Sequence, residues 1–140
     1  MFIIQPHDPF RLGDFLLENF ADKSWTVFRA AVAYAKQSGT KHIREHLRLF
    51  SERAVVRVTV GINSGVTSKE ALEDLIEAVA GEGCLWVFRN DNGSTFHPKV
   101  YLFKNAERAV AVVGSGNLTQ GGLYTNYEAG ASLQFDLTHQ

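Results

Sequence analysis

Apolar positions recur along this chain with two different periods, and the places where the period changes divide it into alternating strands and helices. Phe2–Ile4 predicts a short strand. Pro9 then introduces a segment in which Asp14, Phe15, Leu16 and Phe20 fall at helical spacing, an amphipathic helix. Trp25–Tyr34 reads as a strand, with alanines after Arg29 small enough for a neighbour to pass close. Lys36–Phe50 follows as a helix whose buried stripe is Ile43, Leu47 and Phe50. Ala54–Val60 alternates as a strand, and Thr67-Ser68-Lys69-Glu70 is a capping box opening a helix that turns Leu72, Leu75, Ile76 and Val79 inward. Gly81 and Gly83 stop that helix, Cys84–Phe88 is the next strand, and Asn90-Asp91-Asn92-Gly93-Ser94 is a turn-rich loop.

After that loop the helices cease. Phe96–Phe103 reads as a strand that turns Val100 and Leu102 into a core. Ala109–Val113 is an unbroken apolar run of the kind buried on both faces. In the last strand Tyr127, Ala129, Ala131 and Leu133 alternate with Glu128, Gly130, Ser132 and Gln134, so Glu128 shares a face with small or polar residues. Strand–helix alternation followed by successive strands implies a single α/β domain over residues 1–140, a mixed β-sheet flanked by helices on both faces. The carboxyl end of such a sheet is where a site is expected.

The polar residues that interrupt the last three strands carry chemistry. His97 and Lys99 are two apart, so they project to the same face, about 6–7 Å apart along the backbone. A neutral imidazole nitrogen can attack phosphorus while a neighbouring ammonium holds the anionic oxygens, and that ammonium favours the neutral imidazole. In the turn Gly114-Ser115-Gly116-Asn117 the glycines permit close approach, Ser115 and Gly116 offer contacts to a phosphate, and Asn117 is a candidate clamp. Glu128 is placed to accept a hydrogen bond from an imidazole nitrogen and to stabilise the ring when it becomes cationic. Tyr124 and Tyr127, near the Asn117 turn, are expected substrate neighbours.

His97-Pro98-Lys99, Gly114-Ser115-Gly116-Asn117 and Glu128, eleven residues after Asn117, together resemble the phospholipase D superfamily, most specifically between Phe96 and Leu133. The family's namesake Asp, five residues after the lysine, is Lys104 here, so the pattern looks like the branch of metal-independent restriction endonucleases rather than the lipid hydrolases. The resemblance implies a phospholipase D-like fold and a nuclease acting through a phosphohistidine, with His97, Lys99, Asn117 and Glu128 catalytic and no cofactor or metal. It further implies that two copies of the motif complete a site, hence a homodimer with the two His97 residues facing across a twofold axis. Nucleic acid is the expected substrate, with DNA ranked ahead of RNA. Related domains often continue into a further helix, so the chain is expected to be a domain of a longer protein. Two rival readings are a non-catalytic nucleic-acid-binding or dimerisation module and a phospholipid or small phosphodiester hydrolase.

Other patterns carry less. His42-Ile43-Arg44-Glu45-His46 matches a zinc-peptidase pattern, without an identifiable third ligand. Gly114-Ser115-Gly116 lacks the third glycine of a dinucleotide loop, and neither a P-loop nor a Gly-x-Ser-x-Gly elbow occurs. Lys41, Arg44 and Arg48, with Arg53 and Arg57, form either a backbone-tracking patch or a solvated face. Trp25, Tyr34, Trp86 and Phe88 read as core. A net charge of −1 excludes a globally basic coat, although residues 1–70 hold ten Lys/Arg against seven acids and residues 71–140 four against eight. The single Cys84 excludes an internal disulfide, and the opening residues do not read as a signal peptide, so a cytoplasmic protein without membrane association is expected.

Overall fold

The computed structural model describes residues 1–79 and 84–139, and Gly81 and Gly83 lie outside them. The elements run β1 (Phe2–Gln5), α1 (Leu12–Ala21), β2 (Val27–Val32), α2 (Gln37–Ser51), β3 (Val55–Gly61), α3 (Lys69–Ala78), β4 (Leu85–Phe88), β5 (Lys99–Lys104), β6 (Arg108–Gly114), a π-helical turn (Gly121–Thr125) and β7 (Glu128–Asp136). They form one mixed sheet in the order β1-β7-β6-β5-β2-β3-β4. β2, β3 and β4 are parallel, and β5 meets β2 antiparallel, as do β6, β7 and β1 with their neighbours. This is the mixed α/β architecture the sequence implied.

Among the described residues, α1, α2 and α3 pack on one face of the sheet. Phe28, Ala30 and Val32 of β2, Val56, Val58 and Val60 of β3, and Tyr101 and Phe103 of β5 are buried in a single cluster with residues of α1, α2 and α3. The rings of Phe20, Phe28, Phe50 and Phe103 interlock in it, with Phe28 and Phe103 centroids 4.7 Å apart and Phe20 edge-on to Phe28 at 4.8 Å. Each buried ring contributes about 1.5–3 kcal/mol of transfer free energy. Alternation then sends Val100 and Leu102 to the opposite, open face, where both are half-exposed. The inward set of β5 is Lys99, Tyr101 and Phe103. Val100 and Leu102 therefore do not point into the helix-packed core, because no helix among the described residues covers their side. Trp86 and Phe88 are likewise exposed on the edge strand β4, while Trp25 is buried as expected.

Two hydroxyls fasten the site end of the sheet. Ser68 caps α3 by accepting from the Ala71 N–H at 3.2 Å, and it also takes the first N–H of α2, from Gln37, at 3.3 Å. Thr67 is not the cap: its hydroxyl donates to the Gly61 carbonyl at 2.7 Å and accepts from the Ala35 N–H at 3.2 Å. Of the residues read as inward, Leu75 and Val79 are buried and Leu72 packs against the core beside Ala71, Asp74 and Ala78, whereas Ile76 points to solvent. Asp74 is buried there because it accepts from Thr40 at 2.6 Å and from Arg44 at 3.0 Å.

Candidate active site

Because β5 runs against β2, and β6 and β7 reverse in turn, the start of β5, the end of β6 and the start of β7 meet at the same edge as the carboxyl ends of β2 and β3. His97 precedes β5 and is exposed; Lys99 opens β5 and is 7 % exposed. The Lys99 Nζ lies 2.6 Å from His97 Nδ1 and 2.9 Å from Nε2, and donates to the His97 carbonyl at 3.1 Å. The contact sets the imidazole and the ammonium side by side at this end of the sheet. Burial pulls the Lys99 pKa below the usual lysine value, and the Glu128 carboxylate partly offsets it.

Asn117 sits in the turn after β6 and is buried. Its Oδ1 accepts from the Tyr34 N–H at 3.3 Å, which leaves the amide NH2 as the end it can offer to a ligand. Three glycines allow this turn to fold against its neighbours. A Cβ on Gly116 would lie 2.5 Å from the Gly122 carbonyl oxygen, and one on Gly122 would lie 2.2 Å from that of Asn117. Gly114 leaves the same kind of space for Ala129, whose carbonyl oxygen would be 2.5 Å from an added Cβ.

Glu128 opens β7 opposite Gln5. Its carboxylate accepts from the Ser115 hydroxyl through Oε2 and from Asn126 Nδ2 through Oε1 at 3.4 Å. The hydrogen bond expected between Glu128 and the imidazole is not formed among the described residues; Lys99 occupies the ring nitrogens instead. Glu128 acts on the cluster through its field, which partly offsets the lowering by burial at Lys99 and adds to the rise by burial at Tyr101. Ser115 is drawn into this pair and also accepts from the Ala129 N–H at 3.1 Å.

Tyr124 stands differently. It is half-buried beneath α1, with the Arg11 guanidinium 4.8 Å from its ring centroid and the His42 ring edge-on at 5.1 Å. Burial, then Asp14, push its phenol pKa up against the opposing Arg11. None of His97, Lys99, Asn117 or Glu128 is among these contacts. Tyr127 is exposed, beside His7.

Residues 28–138 match the family model described as the NgoFVII restriction endonuclease N-terminal PLD domain. The chain belongs to this family. No curated protein matches it. Among solved structures, the phospholipase D family member Nuc from Salmonella typhimurium is similar at 16% identity with a TM-score of 0.66, over 99% of this chain and 84% of that one. NucT from Helicobacter pylori is similar at 14% identity and a TM-score of 0.64, over 99% and 86%. Polyphosphate kinase from Porphyromonas gingivalis shares the fold at 14% identity and a TM-score of 0.64, over 94% of this chain and 22% of that one. At such identities these structures establish the fold, and the family match places it among the nuclease-type phospholipase D-like domains.

Other residues hold the site without appearing in its motif. The carboxamide of Gln5, buried on β1, donates to the Gly121 and Gly122 carbonyls at 3.1 Å each and accepts from the Leu12 N–H at 3.2 Å. It pins the turn behind Asn117 to the start of α1. The Tyr101 hydroxyl donates to the Gly116 carbonyl at 3.1 Å, and its pKa is driven far up by burial, so it remains a donor. A cavity of about 10 Å³, about enough for one water, lies between these supports, Lys99 and Glu128. Gln5 carries a signal in the sequence as a polar residue in phase with Ile3, but the pairing that gives it partners does not.

The basic run is dispersed. Arg44 pairs with Asp74, Arg48 with Glu45 at 2.8 Å and Glu52 at 2.6 Å, and Arg53 donates to the carbonyls of Trp25, Phe20 and Asp22. Arg57 lies on the open sheet face. Pairing rather than backbone tracking accounts for most of this run. In the zinc-type pattern, Glu45 is engaged by Arg48 and His42 by Tyr124, and no group of three or more metal-ligating side chains is assembled among the described residues. No helix among the described residues is long and apolar enough to cross a membrane.

Proposed function

We propose that this domain is a metal-independent phosphodiesterase that cleaves nucleic acid, DNA ahead of RNA, at a site completed by a second copy of the chain. The observation that carries this reading is the Lys99 ammonium set against the His97 ring at the sheet edge where Asn117 and Glu128 also stand. Membership of a restriction-endonuclease domain family supports the substrate class.

In the proposed reaction one His97 nitrogen forms a bond to phosphorus as the ester P–O bond breaks, and the partner copy's imidazolium protonates the departing oxygen. The partner ring, now neutral, then takes a proton from water, whose oxygen displaces the histidine and restores both rings. Lys99 and the Asn117 amide donate to the non-bridging oxygens as negative charge develops on them. Glu128 stabilises the cationic ring through its field. Two lysines and two amides, one pair from each copy, supply the charge neutralisation that a divalent ion supplies elsewhere.

The test is incubation of wild-type protein and His97→Ala with labelled single- and double-stranded DNA and RNA in excess chelator. Cleavage by the wild type, reduced on the order of 10³-fold or more in the variant, is the expected result. Cleavage only after magnesium is restored overturns the mechanism. Binding by both proteins with cleavage by neither favours a non-catalytic binding module.

A further inference from the structure

The first strand, β1, lies at the edge of the sheet, and alternation buries only Ile3 and Gln5 of it. Gln5 is 2 % exposed, and a buried carboxamide is costly unless its donors and its acceptor are engaged. Here both ends are used. Its Nε2 donates to the carbonyls of Gly121 and Gly122, and its Oε1 takes the first N–H of α1, from Leu12. Few side chains meet this requirement. Asn is one methylene short, Met has no N–H to give, and an ionised Glu would turn a carboxylate oxygen toward two carbonyls. Register also sets Gln5 directly opposite Glu128. Both β1 and α1 precede the 28–138 span matched by the family, so this clamp lies outside it.

We propose that Gln5 is a positioning residue for the Asn117 amide, acting through the Gly121–Gly122 turn; the inference rests on the phosphodiesterase reading. The path consists of backbone contacts too close to absorb a shift. The Gly122 carbonyl oxygen that Gln5 holds would lie 2.5 Å from a Cβ on Gly116. A Cβ on Gly122 would lie 2.2 Å from the Asn117 carbonyl oxygen and 2.6 Å from the Asn117 nitrogen. Gly122 therefore packs on the backbone at both sides of the Asn117 Cα, and close-packed groups transmit displacement. The contact at the other end of Asn117, from the Tyr34 N–H to Oδ1, is longer at 3.3 Å and holds it less firmly. Loss of the carboxamide takes a donor from the buried Gly122 carbonyl. That carbonyl then moves toward another partner and carries Asn117 with it.

The test compares wild type, Gln5→Met, Gln5→Glu and Arg53→Gln, the last removing carbonyl contacts at the opposite end of the sheet. kcat and KM are measured on the nucleic acid that wild type cleaves, as ratios to wild type from about pH 5 to about pH 8, with circular dichroism checking the fold. Gln5→Met should lose at least about tenfold in kcat with KM within about twofold, while Arg53→Gln loses stability and keeps kcat. Gln5→Glu sets a carboxyl against two carbonyls and beside Lys99, Tyr101 and Glu128, with Arg11 held by Asp14. Burial, Glu128 and the carbonyls outweigh Lys99 and favour the protonated form, which still donates once. Its kcat ratio should therefore exceed that of Gln5→Met at acid pH and fall as pH rises. Proton–nitrogen correlation spectra follow the Asn117 side-chain amide, identified by its absence in Asn117→Asp; Gln5→Met should shift it and Arg53→Gln should not. If wild type cleaves nothing, the phosphodiesterase reading fails and this resonance alone decides the role of Gln5. A Gln5→Met kcat within about twofold of wild type, an unmoved Asn117 resonance, or a Gln5→Glu ratio flat with pH overturns the proposal. Should Gln5→Met not fold, Gln5→Glu decides.

Discussion

Lys99 serves two demands that pull in opposite directions. Seated above Tyr101 and Phe103 it is largely desolvated, which disfavours its charge, yet its position on His97 is useful only while it is charged. Because its pKa is lowered on folding, the unfolded chain holds more protons between the folded-state value and the ordinary 10.5, so this residue's contribution to stability rises with pH across that window. Urea denaturation of wild type and Lys99→Met at pH 8 and pH 10 checks the sign: the variant's advantage should shrink at the higher pH. Lys99→Ala should lower cleavage by about 10²–10³-fold with binding reduced far less. The depressed pKa also places the alkaline loss of wild-type activity below the ordinary lysine range, a shift readable in the pH–rate profile. Tyr101→Phe leaves the buried Gly116 carbonyl without its donor and should cost about 1–3 kcal/mol in denaturant melts, with a fall in kcat larger than any change in KM.

At the scale of elements, the site depends on how closely α2 approaches the turn after β6 and on the cap shared by α2 and α3. α2 begins beside the Asn117 turn, where Lys36 N–H donates to the Leu118 carbonyl at 3.0 Å, and a Cβ on Gly39 would lie 2.5 Å from both the Leu118 carbonyl oxygen and the Thr119 nitrogen. Gly39→Ala must separate α2 from that turn and should cost about 1–3 kcal/mol, with cleavage reduced because Asn117 is displaced. Ser68→Ala removes the α3 cap and a partner of α2 together, and a loss of about 1–2 kcal/mol in thermal or denaturant unfolding is expected. Helix periods were legible along the chain because each helix has one buried stripe. Which strand face is core was not: β5 has apolar residues in both phases, and only the position of the helices decides between Tyr101 with Phe103 and Val100 with Leu102.

For the whole molecule, the proposed two-histidine site makes activity a property of the pair. Wild-type protein co-refolded with excess His97→Ala should lose activity as roughly the square of the wild-type fraction, since a mixed dimer holds one imidazole of two. A linear loss would show that each copy acts alone. Sedimentation at the assay concentration gives the state directly, with a dimer expected.

The local pattern alone determined the order of strands and helices, the strand–turn–strand placement of His97, Lys99, Asn117 and Glu128, and the family resemblance, because these rest on periodicity and on short spacings within the chain. The tertiary structure decided what depends on pairing between distant segments. It placed α1, α2 and α3 on one face, exposed Trp86 and Phe88, dispersed Arg44, Arg48 and Arg53 among carboxylates and carbonyls, and brought Gln5 beneath a turn more than a hundred residues away. It also gave Glu128 to Ser115 rather than to His97. Side-chain partners across a sheet follow from register and from which face is covered, and neither is encoded in any one stretch of residues.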